Sequence, residues 1–176
     1  YKRQPSGSNV ETVAIASNEQ DQQGVFKELG RWSTGSLDVN SNLSGDWSGN
    51  TWVSSNRDAT VNIRYTIIQD DNNLAAFEFT DVVAAGDTIE ITGSSNIELT
   101  NLGTSSLTLL IEASWTAQPG TPPPAPPANT TILMEYGSSS RNTGVEISIS
   151  HVQIRGGGEP FVNEGQSEVT IYVKLY

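Results

Sequence analysis

The sequence predicts an all-β protein: a single antiparallel two-sheet β-sandwich, jelly-roll-like, of about nine to eleven strands, with at most one short helix near residues 18–29. Three observations lead there. Apolar residues recur at every second position in one stretch after another, clusters of Gly, Asn and Asp interrupt them at short intervals, and only one segment has helical spacing. Alternation marks antiparallel strands with one wet face, whereas the strands of a parallel sheet read as unbroken apolar runs.

Residues 1–9 are polar and carry Lys2 and Arg3, which predicts a mobile or donated N-terminal segment ahead of one sandwich domain over 10–176. The run Asn9–Ser17 is β-prone. It is either the first strand of its own sheet or a strand laid on the open edge of a neighbouring subunit, with Val10, Thr12, Val13, Ala14 and Ile15 as the donor-strand candidates. Ser17-Asn18-Glu19-Gln20 has capping-box spacing, Val25, Phe26 and Leu29 would form an apolar stripe, and Gly30 would end the helix. Gly24 inside that segment costs about 1 kcal/mol relative to Ala, so a loop competes with the helix.

Strands follow. Val61, Ile63, Tyr65 and Ile67 share a face; Phe77 and Phe79, Ile89 and Ile91, and Ile97 and Leu99 form shorter pairs. Leu107, Leu109, Ile111, Ala113 and Trp115 alternate with polar residues, as do Ile132, Met134 and Tyr136 and the closing Val169, Ile171, Val173 and Leu175. Between Leu109 and Ile132 lies a segment, 118–129, with six of the eight prolines. Proline has no amide donor and a fixed φ, so this stretch is expected as a stiff surface loop. In Val145–Arg155 the apolar phase slips by one, from Val145, Ile147 and Ile149 to Val152 and Ile154, which predicts a β-bulge or a strand changing sheets beside His151.

Composition removes several functions. The chain has 176 residues with 9 basic and 20 acidic side chains, a net charge of −11. That balance argues against nucleic acid as a partner and against docking on an anionic membrane. With no Cys there is neither a disulfide framework nor a thiolate ligand, and no apolar run reaches the ~20 residues of a membrane span, so no membrane insertion is expected. A first residue Tyr1 and a single Met at 134 lead to the expectation of a processed N-terminus. Abundant Ser, Thr, Asn and Gly with only three Lys fit an extracellular or virion-surface setting.

The candidate sites each have a structural alternative. His151, the one imidazole, is either a general base or a structural residue at a bend, and no nucleophile motif accompanies it. Glu90, Glu98, Glu112, Glu146 and Glu168 fall on wet strand faces, so solvation explains them better than paired-carboxylate hydrolysis. Asp70, Asp71, Asn72 and Asn73 gather oxygen ligands for Ca²⁺ in one turn, although Asp and Asn are also ordinary turn formers. Trp47 and Trp52, in a segment rich in Gly, Ser and Asn, are candidates for stacking on a sugar ring, or else core residues. Asn42 and Asn129 stand in N-glycosylation tripeptides.

Two stretches carry a resemblance. Ala85-Gly86-Asp87-Thr88-Ile89-Glu90-Ile91, followed by the run from Asn96 to Leu109, resembles hairpins of jelly-roll assembly proteins. Such hairpins occur in phage and virus surface proteins of TNF-like fold and in TasA-like subunits of extracellular filaments. The likeness covers about 25 of 176 residues and transfers no functional residue. It implies a non-enzymatic sandwich repeated in a lattice or filament. The expected function is therefore a non-enzymatic structural subunit, self-assembling through strand and apolar contacts with copies of itself. The alternative is a carbohydrate-binding sandwich, calcium-stabilised, with a glycan as partner.

Overall fold

The structure, a computed structural model, describes residues 11–17, 23–33, 36, 41–120, 130–136, 141, 143–151 and 169–173. Alternating side chains become strands with one buried face and one wet face: in β4 (Ala59–Gln69), Val61, Ile63 and Tyr65 are buried while Asn62 and Arg64 face outward. The other strands are β1 (Glu11–Ser17), β2 (Lys27–Ser33), β3 (Ser41–Ser55), β5 (Asn72–Val83), β6 (Thr88–Leu102), β7 (Thr108–Ala117), β8 (Thr130–Tyr136), β9 (Gly144–His151) and β10 (Val169–Val173). Every strand pairing is antiparallel. Two sheets result, as the sequence predicts.

The four-stranded sheet has the order β2-β7-β4-β5. The six-stranded sheet is built around β3. Strand β6 pairs along one side of β3 from Ser41 to Ser54. Along the other side β8 takes Trp52–Ser55 and β9 takes Ser44–Asn50, so the two lie end to end on one edge. Strand β1 lies outside β8, and β10 outside β9. Facing residues of the two sheets, among them Val53, Ile91, Ile132 and Met134 against Val61, Ile63, Ile111 and Trp115, form the core. Strands β5 and β6 are consecutive in sequence yet belong to different sheets. Their link is tied down by Asp58 Oδ1, which accepts from the Ala85 amide at 2.8 Å, and by the Gly86 amide, which donates to Ser55 O at 2.8 Å.

Two aromatic rings set the distance between the sheets. Gly49 and Gly93 sit opposite each other on β3 and β6. A Cβ on Gly49 would stand 2.7 Å from Tyr65 Cε2, and one on Gly93 would stand 2.1 Å from Phe79 Cδ1. The paired glycines therefore form a slot into which the four-stranded sheet inserts its rings. Tyr65 also stacks on Phe77, with centroids 5.1 Å apart. Its hydroxyl, fully buried, hydrogen-bonds the hydroxyl of Thr51 across the sandwich.

The helix expected near 18–29 gives way to β structure over its last part, and residues 18–22 lie outside the described set. Gly24 turns the chain at φ 76°, and its amide donates to Trp115 O at 2.9 Å while Gln23 Oε1 accepts from the Ala117 amide at 2.9 Å. Docking on β7 in this way leads directly into β2. The supposed stripe is split: Val25 is exposed, Phe26 lies outside against Arg64 at 3.6 Å, and Leu29 turns inward at a bulge. The phase slip beside His151 does produce a bulge, since Ser44 faces His151 while Gly45 faces Ile149. Of the Pro-rich segment, Gln118, Pro119 and Gly120 are described, leaving β7 toward β8 in the other sheet, and 121–129 lie outside the described residues.

Gly49→Ala should lower unfolding free energy by about 1–3 kcal/mol in urea titrations, the usual cost of overpacking. Gly93→Ala should cost less, because half-buried Phe79 can swing outward whereas Tyr65 is held by Thr51 and Phe77. An unchanged midpoint for Gly49→Ala would refute the slot. Burial holds the Tyr65 phenol well above the ordinary tyrosine range, outweighing the opposing Thr51 hydrogen bond. Its unfolded form ionises near pH ~10, so the unfolded state loses the proton first and stability falls as pH rises beyond that point. Tyr65→Phe should flatten this alkaline slope in thermal melts, while leaving Thr51 without its partner.

Candidate functional site

The tryptophan pair separates at once. Strand β3 turns its odd positions inward and its even ones outward, so Trp47, 3% exposed, is a core residue and Trp52 is half-buried on the outer face. Trp47 is thus corrected from sugar platform to core, and its Nε1 has no acceptor among the described residues. The signal was present in the sequence: a separation of five puts two residues on opposite faces of a regular strand.

The calcium candidates fall in a hairpin turn and the strand that follows it. Gln69 pairs with Asn72, leaving Asp70 and Asp71 as a two-residue hairpin turn with φ 50° and 62°. Asp tolerates this left-handed backbone, and Asn72 Nδ2 donates back to Asp70 O at 3.0 Å. Asn73 begins the β5 ladder opposite Ile68. Among the described residues no group of three or more His, Cys, Asp or Glu is placed to hold a metal ion. In β1, Thr12, Val13, Ala14 and Ile15 face Glu135, Met134, Leu133 and Ile132 of β8 in the same chain. Asn42 falls in β3 at a register shift, and Val10 and Asn129 lie outside the described residues. Among the described residues no helix is long and apolar enough to cross a membrane.

A constellation missed in the sequence surrounds Trp52. On the outer face its neighbours across the sheet are Glu90 on β6 and Glu135 on β8. Asn50, two residues along β3, donates through Nδ2 to Glu90 Oε1 at 3.0 Å. Arg141 forms an ion pair with Glu135 and places its guanidinium 5.8 Å from the Trp52 ring centre. What brings Arg141 there is a break in the ladder. The buried Thr143 hydroxyl accepts from the Trp52 amide at 3.1 Å and donates to Glu135 O at 2.7 Å. It stands between two groups that would otherwise bond each other, and there β8 ends and β9 begins. Regular alternation on either side of Gly137–Gly144 gave no sign that both strands share one edge.

The second feature is a flank. Strands β5 and β6 pack side by side at one side of the sandwich, each the last strand of its sheet. Among the described residues nothing pairs with their outer edges, and neither strand contains Lys, Arg or Pro. Gln69 holds this side closed at one end: its Nε2 donates to Gly103 O and Ser105 O at 3.1 and 2.9 Å, and its Oε1 accepts from the Gly103 amide at 3.0 Å. On the outer face of the four-stranded sheet, Arg64 lies between Glu78, 2.7 Å away, and Glu112, 3.7 Å away. Val82 of β5 is 54% exposed.

No protein-family model matches the chain, and no curated protein matches it. Solved structures do. An aminopeptidase from a marine sediment archaeon, a Thaumarchaeota archaeon, superposes with a TM-score of 0.53 at 12% identity, covering 86% of this chain and 34% of that one. A chain from the structure of infectious bursal disease virus Gt strain gives a TM-score of 0.41 at 15% identity, covering 78% of this chain and 38% of that one. The chain thus spans little more than a third of either. The aminopeptidase corrects the expectation of a non-enzymatic protein: the same sandwich occurs within an enzyme chain, so a missing catalytic motif does not exclude catalysis.

Thr143→Val should leave the Trp52 amide and Glu135 carbonyl unmatched, at a cost of about 1–3 kcal/mol for each buried group, whereas Thr143→Ser should lose far less. Denaturant midpoints of the two variants decide it; a loss in Thr143→Ser with none in Thr143→Val would mean the methyl group, not the hydroxyl, matters.

Proposed function

We propose that the chain is a structural β-sandwich unit that joins copies of itself, outside a cell or on the surface of a particle, by continuing its sheets from one copy to the next. One observation carries this reading: the open flank of β5 and β6. Edges of 12 and 15 residues run ~40–50 Å at ~3.3 Å per residue, and edges that long are ordinarily guarded by Lys, Pro or bulges. Here the register shift of β5 against β4 lies at its hairpin end and that of β6 against β3 at its Leu99–Leu102 end, and neither strand carries Lys or Pro. Strand β1 offers a second route. It is hydrogen-bonded to β8 alone, so Thr12, Val13, Ala14 and Ile15 can pair with β8 of a neighbouring copy at no net loss of backbone bonds. An array multiplies modest contacts of this kind.

Charge sets the conditions. Copies at −11 repel each other, and salt shortens that repulsion to a Debye length of about 10 Å at 0.1 M. Sedimentation velocity should show mass rising with concentration and rising further with added salt. Val82→Lys combined with Thr92→Lys places charge at two exposed positions of the flank and should shift the distribution toward monomer, with circular dichroism unchanged. A strict monomer at every concentration and salt would overturn the proposal.

A further inference from the structure

Of the outward side chains described on β3 and β6, Trp52 is the only aromatic; its companions are Asp46, Ser48, Asn50 and Ser54 on one strand and Thr, Ser, Asn and Glu on the other. We infer that this face binds a neutral polysaccharide, with a sugar ring stacked on Trp52 and its hydroxyls bonded to Asn50, Glu90 and Arg141. The electrostatics disfavour an anionic ligand. Glu90 repels an anion, and Glu135 and Arg141 neutralise each other in an ion pair and offer no net charge to attract one. A pyranose ring has no charge, an apolar C–H face for the indole and hydroxyls that both donate and accept.

Trp52 is half-buried on this face. Arg64 presses on Phe26 at 3.6 Å, whereas Arg141 stands over the Trp52 ring at 5.8 Å from its centre, a looser contact that places its donors beside the indole. Asn50 and Glu90 already bond each other at 3.0 Å, so both are held in place before a ligand arrives. The geometry also favours a polymer over a free monosaccharide. From Asp46 to Trp52 the outward row of β3 runs roughly 20 Å at ~3.3 Å per residue, the length of several sugar units, and Asp46 Oδ1 accepts from Asn96 Nδ2 at 2.9 Å across to β6. An exposed sheet face makes few contacts with any one ring, and a chain adds them along the row.

Native gels containing a soluble β-glucan, a xylan or a galactomannan provide the test, with the whole chain as analyte. At least one polysaccharide should retard the wild type. Trp52→Ala should weaken that retardation at least about tenfold in apparent Kd, as expected for loss of a central aromatic anchor. Asn50→Ala, which leaves the indole in place, should weaken it by a smaller factor and decides the matter if Trp52→Ala proves misfolded by circular dichroism. Val82→Lys alone, on the outer face of the four-stranded sheet, should be retarded like the wild type, which separates glycan binding from contacts of the flank. Absence of retardation in all three gels, or retention unchanged in both Trp52→Ala and Asn50→Ala, would overturn the inference.

Discussion

The approach of the two sheets is set by aromatic rings meeting bare backbone. Tyr65 and Phe79 project from the four-stranded sheet onto Gly49 and Gly93, where any side chain would collide with them. Large rings ordinarily hold sheets about 10 Å apart, and the glycine pair lets these two enter the opposite layer. The hydroxyl bond between Tyr65 and Thr51 then prevents lateral sliding. With β3 fixed in this way, its parity is fixed along its length. Thr51 and Val53 face the core with Trp47, and Trp52 has only the outer surface to occupy.

A single hydroxyl organises that outer surface. An unbroken ladder would join the Trp52 amide to the Glu135 carbonyl. Thr143 intervenes between them, satisfies both, and lets the chain leave β3 and return to it as β9. The one hydroxyl thereby pairs both backbone groups described at the break. Arg141, two residues before Thr143, reaches Glu135 and stands over the indole. The flank has a different origin. The chain crosses between sheets from β5 to β6, so among the described residues each sheet ends there with an edge that neither strand closes for the other.

Local signals in the sequence were read well where one face decides the outcome. Alternation in 60–68 and 107–115 became β4 and β7, and the slip at His151 became a bulge. They misled where a distant partner decides. The capping-box pattern and apolar spacing over 18–29 describe an isolated helix, but Gly24 and Gln23 find acceptor and donor on β7, and Leu29 gains more by entering the inter-sheet core. The Asp and Asn cluster at 70–73 suggested an ion, and its residue types are equally those of a left-handed turn. Exclusion of catalysis from motifs alone failed for a further reason: an aminopeptidase carries the same sandwich in about a third of its length.

By itself the sequence determined the class of the fold and the parity of its strands, because successive side chains of a strand must point to opposite sides and each apolar residue must leave water. It also determined the charge that any partner has to meet. Only the tertiary structure decided which strands became neighbours, and with that the company of Trp52 and the place of β5 and β6 as the last described strands of their sheets. Trp52, Glu90 and Glu135 lie far from one another along the chain, and nothing in their spacing measures the distance between them once β6, β3 and β8 are laid side by side.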